Sequence, residues 1–363
     1  MSLIYKIALT MIQNVGHITA KHLLTHFIRP EAVFKATKKE LMQVPGVGTI
    51  TAQHILGKDA IKKAKEHLKF IEKYQVQVLF YTDDNYPQRL KNCDDAPILL
   101  YYRGTVDLNH LRIISIVGTR MATSYGKLLC KQLAEVLAAY DVMIVSGLAY
   151  GIDVNAHLES LARNIPTVGV LAHGLDRMYP QVHAQIAKKM LLNGGLLTEF
   201  PPFTNPDKEN FPKRNRIIAG ISDVTIVVEA ASKGGALITA DIANSYHRDV
   251  YAFPGRTTDQ YSQGCNFLIK TNRAGLLNHA KDLPYFLGWE ESLLKVVEAI
   301  EELPTALSPL ELKILQLLKV SDLHIDELTL KLDLPQGQLL LHLLNLEIEG
   351  LLISLPGKRY QRC

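Results

Sequence analysis

Three clusters in this sequence have residue types and spacing suited to holding an anion. Arg120 directly follows the apolar run "RIISIVG" and Thr119. "NFPKRNRIIAG", Asn210–Gly220, sets Lys213, Arg214 and Arg216 around Asn215, behind Phe211 and just before apolar residues. Lys233-Gly234-Gly235 stands before "ALITA". Backbone N–H groups at a helix start, with Arg or Lys beside them, suit phosphate oxygens, and glycine lets a ligand approach the chain closely. The turn "SGLAYGID" adds Ser146, Gly147 and Gly151 to these candidates.

With Pro212 in the first turn of a helix, Arg214 shares a face with Ile217, Ile218 and Ile221. Its guanidinium is then partly desolvated and requires an anionic partner. Within the chain Glu199 or Glu229 can serve. Outside it the partner is a phosphate, with Arg216 or Lys213 adding a contact and Phe211 offering a ring to a base. Repeated phosphates beside an aromatic platform describe a single-stranded nucleic acid better than a mononucleotide.

Other chemistries have weaker support. Asp153 and His157 are four residues apart, one helix face, and His173 and His183 lie nearby in sequence, but a zinc site needs three or four ligands in fixed geometry. Asp153 reads as a helix cap or first-turn acid with His157 hydrogen-bonded above it. The loop after the first strand lacks G-x-G-x-x-G, and the second strand ends in Ser146-Gly147 where a ribose-binding acid belongs. No G-x-x-x-x-G-K-[ST] occurs, so neither NAD binding nor P-loop hydrolysis is expected. No cofactor is expected.

The elements that must position these residues begin near Arg112. "RIISIVG", "VMIVSG", "PTVGVLAHG", "GLLTEFP", "DVTIVVEA" and "DVYAFPG" are short apolar runs separated by helical segments such as "YGKLLCKQLAEVLAAY". Continuous apolar strands between helices predict a parallel sheet covered on both faces, a Rossmann-like α/β domain. Ligands bind such sheets beyond the carboxyl ends of the strands, where the candidates fall. Ser124, Tyr125 and Gly126 are read as preceding one helix N-terminus there, and Lys233-Gly234-Gly235 another.

Two smaller modules flank this domain. "VGHITAKHLL" (Val15–Leu24) and "VGTITAQHIL" (Val47–Leu56) repeat in register, each with a Gly turn before a short helix, the pattern of a tandem helix-hairpin-helix. Such a pair either meets DNA phosphates through its turns or serves as a packing module. Lys-rich "KDAIKKAKEHLKF" reads as a solvated helix face. After a helix and linker from Trp289 to Ser308, three helices and a Gly-bearing hairpin predict a winged helix. Its candidate recognition helix, "PQGQLLLHLLNLEIEGL", has no Lys or Arg, and after it positive charge is confined to Lys358, Arg359 and Arg362 in the wing and tail. A helix without basic residues gains little from a phosphate backbone, so this module is expected to serve interaction or regulation.

The chain has 363 residues, 47% hydrophobic and 21% charged, with a formal net charge of +4; it is a folded multidomain protein whose anion sites must come from local clustering. Cys93, Cys130, Cys265 and Cys363 have no C-x-x-C spacing, which suits reduced thiols. No basic leader or membrane-length apolar run occurs, which predicts a cytoplasmic protein without membrane contact.

"IVGTRMATSYG", "SGLAYGIDVNAH", "GLDRMYP", "FPKRNRIIAG", "VVEAASKGGALITA", "VYAFPG" and "GCNFLI", in this order, resemble the DNA-processing protein A (DprA/Smf) family. "YPQRL" with "APILLYYRG" resembles the segment leading into its Rossmann-like domain, and the likeness runs from about Tyr86 to Asn278. The resemblance implies a non-enzymatic homodimer that binds single-stranded DNA in a basic pocket and loads RecA during natural transformation, in concert with single-stranded-DNA-binding protein. It carries DNA contact to Arg120, the Ser146–Gly151 turn, Phe211, Arg214, Arg216 and Lys233; Lys213, Asn215, Gly234 and Gly235 join them from the residue reading. Thr119, Ala236 and Gln181 depart from the family's usual residues. The competing enzyme reading is a lysine-decarboxylase-like nucleoside-monophosphate phosphoribohydrolase, but its P-G-G-x-G-T-x-x-E signature is not met. The expected layout is a helical, SAM-like tandem helix-hairpin-helix domain over 1–75 and an extended Rossmann-like domain over 76–290. A linker over 291–302 and a DML1-like winged helix over 303–363 complete it.

Overall fold

The computed structural model describes residues 3–289, 307–319, 322–355 and 358–362. The expected linker, 291–302, and Cys363 lie outside the described residues. Contacts divide the chain into two units, Met1–Ser292 and Leu293–Cys363.

The first unit opens with six helices: α1 (Leu3–Thr10), α2 (His17–Phe27), α3 (Pro30–Val33), α4 (Lys38–Leu41), α5 (Thr49–Leu56) and α6 (Asp59–Lys73). The sequence repeat is a structural one. Gly16 and Gly48 cap α2 and α5 with φ/ψ of −87°/−179° and −90°/−179°. His22 Nδ1 lies 3.1 Å from the Pro45 carbonyl before α5, and His54 Nδ1 lies 3.1 Å from the Gln13 carbonyl before α2. Each helix thus ties down the other's entry turn. Leu9, Leu23, Ala52 and Ile55 bury against one another and, in the same cluster, against Phe80, Ile98, Leu99 and Tyr101 of the sheet that follows. The helical module therefore has no closed core of its own.

That sheet has nine strands. In chain order the elements are β1 (Gln77–Phe80), α7 (Gln88–Lys91), β2 (Leu99–Gly104), β3 (Ile113–Val117), α8 (Ser124–Leu137), β4 (Met143–Ser146), α9 (Ile152–Ala162) and β5 (Thr167–Val170). There follow α10 (Ala184–Met190), β6 (Gly194–Thr198), α11 (Asn210–Ile221), β7 (Val224–Val227), α12 (Gly235–Ser245), β8 (Asp249–Ala252), α13 (Gln263–Lys270), β9 (Gly275–Leu276) and α14 (Asp282–Phe286). The spatial order is β1-β2-β6-β5-β4-β3-β7-β8-β9. From β6 to β9 all neighbours are parallel, as the apolar runs predict, because both faces are covered and alternation is lost. β1 and β2 extend the sheet antiparallel beside β6. From β3 the chain winds outward through β4 and β5 to β6, then returns to β7 on the other side of β3. Loops after β3 and β7 leave in opposite directions, which opens a crevice between them at the carboxyl end.

The second unit contains α15 (Pro309–Leu317), β10 (Leu323–His324), α16 (Ile325–Leu332), α17 (Gln336–Ile348), β11 (Leu352–Leu355) and β12 (Arg359–Arg362), with strand order β10-β12-β11. Ser308 and Glu311 form a capping box at α15, and Ile314, Leu328, Leu339, Leu343 and Leu352 fill the core. This is the expected winged helix.

Candidate nucleic-acid interface

A cavity of about 340 Å³ occupies the crevice between the ends of β3 and β7. α11 supplies one wall. Phe211, Arg214, Asn215 and Ile218 all line it, the spacing of a single helix face. Arg120 comes from the loop after β3, and Lys233, Gly234 and Gly235 come from the turn into α12.

Arg214 forms the floor. It is 5% exposed, and its Nη1 donates to the Gly147 and Val170 carbonyls at 2.6 Å each. Its Nε is buried without a hydrogen-bond partner, and neither Glu199 nor Glu229 reaches it. Burial lowers its pKa to about 10, Asp153 opposes that shift and Arg120 adds to it, so the guanidinium stays charged at neutral pH. Asp153 is the opposing charge, but it forms no ion pair with Arg214 among the described residues, and burial holds its carboxyl above the usual carboxylate range. A buried cation with two carbonyls and one reluctant carboxylate makes an electropositive floor. Neither of the two in-chain alternatives, Glu199 and Glu229, partners Arg214, because both glutamates are engaged elsewhere.

Glu229 accepts from the Thr123 backbone N–H at 2.9 Å and from the Thr123 hydroxyl at 2.5 Å. It therefore sits at the start of α8, where Ser124, Tyr125 and Gly126 form the first turn, after the cap. A phosphate arriving there meets a carboxylate. The start of α12 is different. Gly234 caps it with φ +158°, a conformation other residues rarely adopt, and no side chain caps the helix N–H groups. Of the two helix starts read from the sequence, only this one faces the cavity uncapped.

Arg120 is exposed, with its guanidinium 5.2 Å from the centre of the Phe211 ring. That contact restrains a long side chain at the cavity mouth. Phe211 in turn meets Tyr179 edge-on at 6.1 Å. Tyr179 is half exposed and is seated by His173, whose Nε2 accepts from the Tyr179 N–H at 3.2 Å. Burial keeps His173 below its ordinary pKa, consistent with the accepting, neutral ring. Sequence reasoning missed Tyr179 and the countercharge role of Asp153; an aromatic in the rim segment "GLDRMYP" was the available signal.

Other candidates do not line this cavity, although Gly147 borders an adjoining one with Arg120, Tyr179, Phe211 and Arg214. Ser146 is fully buried in β4 and donates to the Ile116 carbonyl at 2.5 Å, so it has no surface for a ligand. Gly147 is needed because Arg214 packs on it: a Cβ there would stand 2.1 Å from Nη1. Gly151 has φ +79°, and a Cβ would stand 2.2 Å from the Thr119 carbonyl, so it seats the Arg120 loop rather than a ligand. We expect Gly151→Ala to cost roughly 1–3 kcal/mol or more from backbone strain and the clash, read as a lowered midpoint in urea unfolding. Lys213 is exposed on the opposite side of α11 from Phe211. Arg216 also points away: it binds Glu199 and the Asp95 carbonyl and approaches His17 Nε2 at 3.0 Å, joining α11 to the helical module. His157 is buried with Nδ1 2.6 Å from Thr167 Oγ1 rather than on Asp153, and burial pushes its pKa down to about 3. No group of His, Cys, Asp and Glu among the described residues is arranged to hold a metal ion.

Three family models match the chain: DNA recombination-mediator protein A over residues 77–288, DprA winged helix domain over 299–358, and helix-hairpin-helix motif over 29–58. The chain is 32% identical to Protein Smf of Synechocystis sp., over 99% of this chain and 98% of that one. It is 43% identical to DNA processing protein DprA of Bacillus subtilis, over 51% of this chain and 63% of the relative. The solved structure of DNA processing protein A from Streptococcus pneumoniae matches with a TM-score of 0.68 at 29% identity, covering 78% of this chain and 97% of that one. That of the Helicobacter pylori protein matches with a TM-score of 0.54, also at 29% identity, over 59% and 95%. The family model over residues 77–288 and the relative matched along nearly its whole length carry the assignment: the chain belongs to the DNA recombination-mediator protein A (DprA/Smf) family.

Proposed function

We propose that this protein binds single-stranded DNA in the cavity at the β3–β7 crevice and passes the strand to RecA during recombination of incoming DNA. The observation that carries the reading is the buried, charged Arg214 beneath Arg120, Phe211 and Lys233. Phosphates satisfy the floor and the open start of α12, and Phe211 offers a face to a base. DNA processing protein A from Helicobacter pylori has a single-stranded DNA binding mode, which supports the same ligand here. The protein acts by binding, not by catalysis, as a homodimer in the cytoplasm alongside single-stranded-DNA-binding protein. No helix among the described residues is long and apolar enough to cross a membrane. In this reading residues 76–290 form the strand-binding domain, 1–75 and 303–363 its helical and winged-helix partners, and 291–302 the linker.

A shift assay with matched single-stranded and duplex oligonucleotides across a salt series tests this. We expect tighter binding of the single strand and a fall in log K with log salt of roughly 0.7 per phosphate neutralised. Equal affinity for both forms would reject the reading.

The winged helix has a lesser part. α17 presents Leu341, Leu344 and Ile348 to solvent at 64%, 52% and 76% exposure and bears no cation, so its free face suits a protein partner better than a phosphate backbone. Removing residues 303–363 should leave single-strand affinity within about tenfold, or about 1.4 kcal/mol. A folded truncation that loses nearly all binding would move the site to the second unit.

A further inference from the structure

Charge is shared unevenly along the chain. Residues 1–75 contain twelve Lys and Arg against five Asp and Glu, so they are more basic than the whole protein at +4. Half of those cations belong to α6 and its cap: Lys58, Lys62, Lys63, Lys65, Lys69 and Lys73, all exposed. Lys58, Lys62, Lys65, Lys69 and Lys73 follow the helix period and form one row, with Glu66 and Glu72 at its edges. Lysine ion pairs among the described residues are those of Lys6 and Lys131, so the row is uncompensated. Like charges one turn apart cost a helix a few tenths of a kcal/mol per pair. An anion along the row relieves that cost.

The sixth lysine, Lys63, is on the side of α6 that meets the strand rim, about a third of a turn round the helix from the row. Phe203, in the loop after β6, is 60% exposed with φ +71°, a conformation that costs a bulky residue about 1–3 kcal/mol. Its ring meets His67 and Phe70 of α6 edge-on at 6.1 and 5.8 Å, and Lys63 is one turn before His67. The Phe203 loop is tied to the loop after β5: Phe203 N–H donates to Asp176 at 2.6 Å, Gly174 N–H donates to the Thr204 carbonyl at 3.1 Å, and Arg177 binds Asn205. The same β5 loop carries Tyr179, the ring against Phe211. Two exposed rings, Tyr179 and Phe203, therefore stand on the stitched loops between the cavity and α6, with Arg120 at one end and lysines at the other.

We propose that a bound single strand leaves the cavity over Tyr179 and Phe203 and crosses Lys63 onto the lysine row of α6, so that the helical module is part of the DNA-binding surface. The proposal rests on the cavity reading above. Rings in series receive unstacked bases, which a duplex does not offer, and the lysines take the backbone that follows. Phe203 holds its costly conformation at the point where the strand turns from rim to helix.

Two oligonucleotides separate the proposal from its foundation: one of about 4 nucleotides, anchored at the cavity, and one of about 20, long enough to reach the helix. The test protein carries Lys62→Gln, Lys63→Gln and Lys69→Gln; these sites are exposed, and glutamine has nearly the helix propensity of lysine. We expect the wild-type protein to bind the longer strand more tightly, and the triple variant to lose most of that gain. Its salt slope on the longer strand should fall by roughly 2, from about 0.7 per phosphate contact, with binding of the shorter strand within about twofold of wild type. Phe203→Ala should also lose the gain, and Phe203→Tyr should keep it. A triple variant with the wild-type gain and salt slope overturns the path while leaving the cavity in place. A wild-type protein that ignores the shorter strand overturns the cavity reading itself, and the path with it.

Discussion

Arg120→Ala should bind single-stranded DNA about 10- to 100-fold more weakly than wild type, the worth of one charge-assisted contact of about 1.5–3 kcal/mol, while unfolding at an unchanged temperature. The two halves of this expectation come from the same observation. Arg120 is exposed at the mouth of the cavity and touches the protein mainly through the Phe211 ring, so its loss removes a charge from the site without opening the core. Arg120→Lys should recover part of the affinity, because the charge returns without the flat guanidinium that lies over the ring. Anisotropy titrations with a labelled oligonucleotide, paired with thermal melts, read both halves. Wild-type affinity in Arg120→Ala would place the strand elsewhere on the protein.

Arg214→Met should be the most damaging single change in the domain. It leaves the Gly147 and Val170 carbonyls without their donor and Asp153 without its opposing charge, all in a buried setting. Removing one partner from such a site costs about 3–5 kcal/mol, which for a domain of this size lowers the melting temperature by roughly 6–20 °C. DNA binding should fall even at temperatures where the variant is folded. The pH dependence gives a second reading. Burial raises the folded-state pKa of Asp153, so its contribution is present below the unfolded pKa and is lost as pH rises through the folded one. Arg214 opposes that rise. Without it the pKa goes higher still, so the deficit of Arg214→Met should shrink on going from neutral to mildly acidic solution. Adding Asp153→Asn should recover part of the stability at neutral pH but none of the DNA binding. Urea titrations at two pH values decide the matter: a deficit that is the same at both would show that Asp153 is not the group left exposed by the change.

Most of the strand-and-helix pattern is legible in the sequence because both faces of a parallel sheet are covered. "RIISIVG", "VMIVSG" and "DVTIVVEA" are continuous apolar runs for that reason, and each is a strand. The antiparallel additions β1 and β2 were not read as strands of this sheet, since "LLYYRG" is as apolar as its neighbours and nothing local states which edge it joins. The site was legible to the level of the helix but not of its faces. Phe211, Arg214 and Asn215 line the cavity, while Lys213 and Arg216, one and two residues away, turn to other sides. Helical periodicity alone forbids Arg214 and Arg216 from sharing a surface. The glycines of the Ser146–Gly151 turn gave the opposite difficulty. Their need is real, but it comes from Arg214 and the Thr119–Arg120 loop packing on them, and a sequence does not say whether the body filling the space is a ligand or the protein.

The shared core between the helical module and β1–β2 bears on how a strand end is handled. Modules joined by a flexible tether bind one molecule with an effective concentration set by tether length and diluted by every conformation the tether explores. Here Phe80, Ile98, Leu99 and Tyr101 belong to both bodies, so the distance from cavity to α6 is fixed by packed side chains. The entropy of bringing the two surfaces together is spent once, in folding, and not again with each DNA molecule. Affinity then rises with strand length as a step, at the length that first spans the gap, rather than as a gradual slope.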